Sequence, residues 1–207
     1  MSRSPTARLF VAVDPPADVC GRLAEWARGA LRAAPGTAHG TTHGGLAPRV
    51  LDPELLHVTL CFLGNRPVGE MDLLAAQLGV CESTVGRLSV GAPLWLPARQ
   101  PRALAVELHD DGGRLANLQR EVVGALLEVS GWQPNEGVSA DQRDLGQRRR
   151  FHPHITVARM RRGGTPAQRA LAPTPSLSFT PRELVLYRSW LSPDGAGYEA
   201  IASHRLA

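Results

Sequence analysis

Leu56-His57-Val58-Thr59-Leu60-Cys61-Phe62-Leu63-Gly64 and Phe151-His152-Pro153-His154-Ile155-Thr156-Val157-Ala158-Arg159 share one figure: histidine, aliphatic, threonine, aliphatic. In extended backbone successive side chains point to opposite faces, so His57 and Thr59 share one face while Val58 and Leu60 share the other. His154 and Thr156 stand in the same relation to Ile155 and Val157. Each segment therefore reads as a strand with a polar pair above and an apolar pair beneath. Two such strands, about half a chain apart, could face each other across a cleft and bring two imidazoles and two hydroxyls together.

Around these strands the pattern alternates. Arg8–Asp14 is strand-like and stops at Pro15-Pro16. Ala17–Arg32 places Val19, Leu23, Trp26, Ala27, Ala30 and Leu31 at helical spacing, and proline suits a first helical turn. The spacing predicts further helices over Val68–Val80 and Gly112–Val129. Strands are expected at His57–Leu63, Gly86–Val90, Ala103–Leu108, His154–Ala158, Glu183–Trp190 and Tyr198–Ser203. The runs are short and include adjacent strand pairs, which favours an α+β arrangement with antiparallel pairing over a doubly wound parallel sheet. Pro35–Pro48 and Pro134–Arg150 read as loops.

Composition sets the outer bounds. A chain of 207 residues, 43% hydrophobic and 20% charged, can build a core, and disorder is not the expectation. A membrane span needs about 20 consecutive apolar residues, and runs such as Leu9–Val13 are far shorter. The N-terminal residues show no apolar h-region, so no signal peptide is expected. Cys20, Cys61 and Cys81 are odd in number and scattered, which suits a reducing, cytoplasmic setting better than a disulfide framework.

Every basic residue is arginine, and the net charge is only +4. The local distribution says more. Arg143, Arg148, Arg149, Arg150, Arg159, Arg161 and Arg162 crowd one stretch against the single acid Asp144. Arginine offers phosphate oxygens a planar fork of donors, so this stretch points to a phosphate or nucleic-acid partner.

The paired histidines suggest the chemistry. Hydrolysing a phosphodiester without a metal needs one group to take a proton from water and another to protonate the leaving oxygen. Histidine can fill either role near neutral pH. Threonine hydroxyls can donate to non-bridging oxygens as charge develops on them. His152-Pro153-His154, with His39, His43 and Cys61 elsewhere, invites a metal-site reading, but the spacings match no common zinc pattern. No metal and no cofactor are expected. Gly36–Gly45 lacks the GK[ST] ending of a phosphate-binding P-loop.

On these residues the chain resembles the 2H phosphoesterase superfamily, and within it the RNA 2',3'-cyclic phosphodiesterases, or 2'-5' RNA ligase family. Arg8–Asp14 resembles the family's first strand, the two His-x-Thr segments its two signatures, and Glu183–Ser189 its penultimate strand. The resemblance implies one bilobal domain over residues 1–207: two similar lobes with antiparallel sheets flanked by helices, the His-x-Thr strands lining a central cleft. It implies that His57 protonates the departing 3' oxygen and that His154 activates water, leaving a 2'-phosphate. Thr59 and Thr156 would hold phosphate oxygens, Arg159 would pair with the phosphate, and Phe62 would contact substrate or core. His154 rather than His152 takes the catalytic position, with His152 a cleft-rim or structural residue. The expected partner is an RNA or oligonucleotide bearing a cyclic phosphate end, met by a monomer. Joining RNA halves through a 2'-5' linkage is a possible side activity, and a non-catalytic RNA-end binder is the alternative from another class.

Overall fold

The computed structural model of the chain describes residues 5–32, 48–81, 84–130, 132, 151–161, 163–192 and 195–206. The Gly- and His-rich loop with His39 and His43, the whole stretch 134–150 with Arg143, Arg148, Arg149 and Arg150, and Arg162 lie outside them. The strands are β1 (Thr6–Val13), β2 (Arg49–Val50), β3 (Val58–Pro67), β4 (Leu88–Leu96), β5 (Ala103–His109), β6 (His154–Arg159), β7 (Ser178–Phe179), β8 (Glu183–Ser192) and β9 (Gly195–Arg205). The helices are α1 (Ala17–Arg32), α2 (Met71–Leu78) and α3 (Arg114–Ser130), with single 3-10 turns at Pro53–Leu55 and Val68–Glu70.

All strand pairs are antiparallel and join into one sheet, ordered β7-β4-β5-β6-β3-β1-β8-β9 with β2 on β6. The α+β expectation holds. One register pair, Val58↔Ile155, connects the β7-β4-β5-β6 half to the β3-β1-β8-β9 half. The two His-x-Thr segments are thus neighbouring strands at the middle of the sheet.

Burial follows the alternation. Leu9, Val11 and Val13 of β1, Val58 of β3, and Ile155 and Val157 of β6 are buried in one cluster with the helices. From α1, Val19, Cys20, Leu23, Ala24, Ala27 and Ala30 turn inward; from α3, Leu115, Leu118, Val122 and Leu126 do so. The α1 backbone starts with the Cys20 N–H donating to the Pro16 carbonyl (3.1 Å). Upstream of α3 the Asp110 carboxylate accepts from the Ala116 N–H (3.0 Å), which satisfies a donor the helix cannot use. Gly113 makes the turn into α3 with φ 64°, a region open to glycine. No described helix is long and apolar enough to cross a membrane.

The structure departs from the sequence pattern most clearly in β3, in β4 and in the two shortest strands. β3 starts one residue later than expected, after His57, and runs on to Pro67. The pattern ends β4 at Val90, before Pro93, yet the strand continues to Leu96. Its register slips between Val90 and Pro93, and β7 pairs only with Leu88 and Ser89. Pro93 therefore sits beside a bulge, past the last β4 residue that β7 pairs, where a missing N–H costs little. The two-residue strands β2 and β7 are too short to leave a periodic signal.

Candidate active site

His57 and His154 are attached to the backbone in the same way. His57 lies just before β3, and its Nδ1–H donates to the carbonyl of Leu55, two residues back, at 2.8 Å. His154 opens β6, and its Nδ1–H donates to the carbonyl of His152, also two residues back and also at 2.8 Å. A carbonyl oxygen only accepts, so the proton sits on Nδ1. In each neutral ring the lone pair is therefore on Nε2. Each ring is thus held in one tautomer with one reactive nitrogen.

The two accepting carbonyls are fixed by different means. Leu55 ends a 3-10 turn, with the Leu55 N–H bonded to the Asp52 carbonyl (2.9 Å) and the Leu56 N–H to the Pro53 carbonyl (3.1 Å). On the other side the imidazole of His152 donates from Nε2 to Glu107 Oε1 at 2.9 Å, and the Leu108 N–H bonds the Pro153 carbonyl at 3.0 Å. Glu107 of β5 is the register partner of His154. His152, expected as a cleft-rim or structural residue, is exposed and tied to this carboxylate.

Register places the threonines. Register partners share a face. Val58 and Ile155 are such a pair, so alternation along each segment puts His57, Thr59, His154 and Thr156 on the opposite face. The outer neighbours match as well. Thr59 lies across from Ala12 of β1, and Thr156 across from Ala105 of β5. Each threonine therefore has a methyl group rather than a bulky side chain as its outer cross-strand neighbour. Nothing in the sequence pattern singles out these alanines.

Around His57 the surroundings are aromatic. The Phe10 ring lies 4.8 Å from the imidazole at 33°, and Tyr198 meets it edge-on at 5.1 Å and 88°. Phe10 stacks on Tyr187 at 5.1 Å and 17°, and the Tyr187 hydroxyl donates to Asp14 Oδ2 at 2.5 Å. Sequence reasoning missed Phe10, Tyr187 and Tyr198 as site residues. The available signal was that Phe10 alternates with the inward-facing Leu9 and Val11. Phe62, which sequence reading placed at the site, lies 6.1 Å from Phe10 and is partly exposed, one ring further out than His57's own neighbours.

These neighbours set the charge state. Burial pushes His57 down to about 4; the Leu55 carbonyl opposes the shift, and the positive charges of Arg159 and His154 add to it. His154 is lowered too, again mainly by burial, with the His152 carbonyl opposing and the His152 ring contributing. Left to themselves, both imidazoles are therefore neutral near neutral pH. An anion between them would favour the charged form of either. Arg159, at the end of β6, is exposed yet close enough to His57 to act on its proton. A pair of tethered neutral imidazoles, two hydroxyls and a guanidinium can bind an anion, recharge one ring, and move one proton in and one out.

No protein-family model matches the chain. Among curated proteins it is 33% identical to an RNA 2',3'-cyclic phosphodiesterase of Geobacillus stearothermophilus over 162 residues, 72% of this chain and 45% of the relative. The chain thus spans less than half the length of that protein. Among solved structures, TT0787 of Thermus thermophilus superposes with a TM-score of 0.68 at 27% identity, covering 96% of this chain and 97% of the other. E. coli LigT complexed with 3'-AMP superposes with a TM-score of 0.69 at 23% identity, covering 98% and 99%.

Proposed function

We propose that this chain, a member of the 2H phosphoesterase superfamily, is a phosphodiesterase that opens 2',3'-cyclic phosphate at RNA ends to a 2'-phosphate without a metal or cofactor. The observation that carries this reading is the matched tethering of His57 and His154, each through Nδ1 to the carbonyl two residues back, on adjoining strands. Alternation then assigns both rings to the face that carries Thr59 and Thr156. The name of the Geobacillus relative supplies the substrate class, and the LigT complex with 3'-AMP is in keeping with a nucleotide in this fold.

The reaction follows from the charge states. The phosphate anion settles between the rings, where the threonine hydroxyls donate to its non-bridging oxygens and Arg159 pairs with its charge. Its negative charge offsets Arg159 and lets one imidazole take up a proton. His57, so charged, gives that proton to the departing 3' oxygen. His154, neutral at Nε2, takes a proton from the water that attacks phosphorus. After one turnover the protonated ring has changed sides, and exchange with solvent resets the pair. Phe62, partly exposed beyond Phe10, is placed to touch the nucleoside rather than the phosphate. The enzyme acts as a monomer in a reducing cytoplasm, which the free thiols of Cys20, Cys61 and Cys81 support. Joining of 2'-5' ends is the same ring opening with a 5'-hydroxyl in place of water: the new P–O5' bond forms as the P–O3' bond breaks.

The test is product analysis. An oligonucleotide ending in a 2',3'-cyclic phosphate should give only the 2'-phosphate, at a rate unaffected by chelator. A 3'-phosphate product would reverse the leaving-group assignment. Tight binding with no product would turn the reading to an RNA-end binder.

A further inference from the structure

Beside the paired histidines lies a second place built for an anion. A cavity of about 140 Å³ is lined by Arg49, Arg159 and Arg161, with Asp52, Leu55 and Ala196 among its other walls. Three arginines and one aspartate line it. Ligand pockets for drug-sized molecules run to about 300 Å³ and above, so this one suits a phosphate group rather than a nucleobase.

Its position is offset from the reacting centre but shares residues with the surroundings of His57. Among the described residues none of His57, Thr59, His154 and Thr156 lines it. Leu55, however, both lines it and supplies the carbonyl that holds His57. Arg159 lines it and acts on the His57 proton. Ala196 is two residues from Tyr198, which meets His57 edge-on, and alternation puts both on one face of β9.

The strand pairing places two of these arginines together. Arg49 of β2 is the register partner of Arg159 of β6, and register partners share a face. A phosphate beside that face can take charge-assisted contacts from both.

We infer that this cavity is a subsite for the phosphodiester preceding the cyclic end, so that the enzyme reads two successive phosphates and prefers an oligonucleotide to a cyclic mononucleotide. The inference rests on the acid–base reading for the place of the first phosphate and adds the second. An RNA end supplies two phosphates one nucleotide apart; a cyclic mononucleotide supplies one.

Three substrates test it: a dinucleotide with a 2',3'-cyclic end, the same dinucleotide with an uncharged methylphosphonate linkage, and the cyclic mononucleotide. Wild-type kcat/KM should be about tenfold or more higher for the charged dinucleotide than for the methylphosphonate, the worth of one charge-assisted contact. Arg49→Ala and Arg161→Ala should each shrink that ratio. Equal kcat/KM for the two linkages in the wild type would overturn the subsite, as would a ratio that both variants leave unchanged. If no substrate turns over, the acid–base reading fails on its own. Calorimetry with the two linkages as uncleavable dinucleotide 3'-phosphates then decides the subsite: tighter binding of the charged one supports it and equal binding removes it.

Discussion

Val58 and Ile155 face each other across an antiparallel pair, and among the described residues this is the one register pair joining β3 to β6. Both side chains are fully buried. What brings the two imidazoles together is therefore an apolar contact on the far side of the sheet from the chemistry.

Ile155→Ala should destabilise the fold by about 2–5 kcal/mol, the usual cost of emptying a buried site. It should also lower kcat in the folded enzyme, because the junction that sets the spacing of the rings has loosened. Urea denaturation together with turnover measured well below the unfolding midpoint separates the two effects. A stability loss with unaltered kcat would mean that other contacts hold the histidines in place.

Replacing either histidine by alanine should cut kcat by about 10²–10⁴-fold, the range for a lost acid or base. The roles can then be told apart with a substrate whose 3' bridging oxygen is sulfur, since a thiolate leaves without a proton. His57→Ala should recover most of its lost rate on that substrate, and His154→Ala should not. The reverse result would exchange the acid and the base.

His57 also links pH to folding. Its value in the folded state, about 4, lies below the ordinary 6.5. Between those limits the unfolded chain binds the extra proton, so stability is complete above about 6.5 and falls as pH drops toward 4. The groups facing this imidazole are the rings of Phe10, Tyr187 and Tyr198 and the cations Arg159 and His154. His57→Gln should flatten this part of the stability profile, removing a loss on the order of 1–3 kcal/mol. Thermal melts between pH 7 and pH 4 read it directly, and parallel profiles for the two proteins would show that the shift is small.

Glu107 should act on His154 through its neighbour. The carboxylate holds the His152 ring, and the His152 carbonyl holds the His154 Nδ1–H. Glu107→Ala should lower kcat by about five- to tenfold, the worth of one hydrogen bond, with Glu107→Gln closer to wild type. His152→Ala should cost about the same, and the double variant no more than either alone. Additive losses would show that the two residues act separately.

The two histidine strands were legible because their period of two is unbroken over four residues in each copy. Helices α1 and α3 were legible because Leu23, Ala27 and Ala30, and Leu118, Val122 and Leu126, keep helical spacing over several turns. The aromatic seat was not. Phe10, Tyr187 and Tyr198 come from three strands, and only their register in the sheet brings them to His57. Ala12 and Ala105 matter for what they lack, and a small side chain in a strand gives no signal of its own. The continuation of β4 past Pro93 depends on which neighbour is absent at that point, which no local pattern records.

Because each imidazole is fastened by the same bond to the same place on its own strand, the frame has no built-in arrow. Whichever ring gives a proton when a linkage is broken must take one when it is made. The tether serves both directions equally well. What makes the outcome one-way is the supply of water, because a catalyst speeds both directions alike whatever surrounds its two rings.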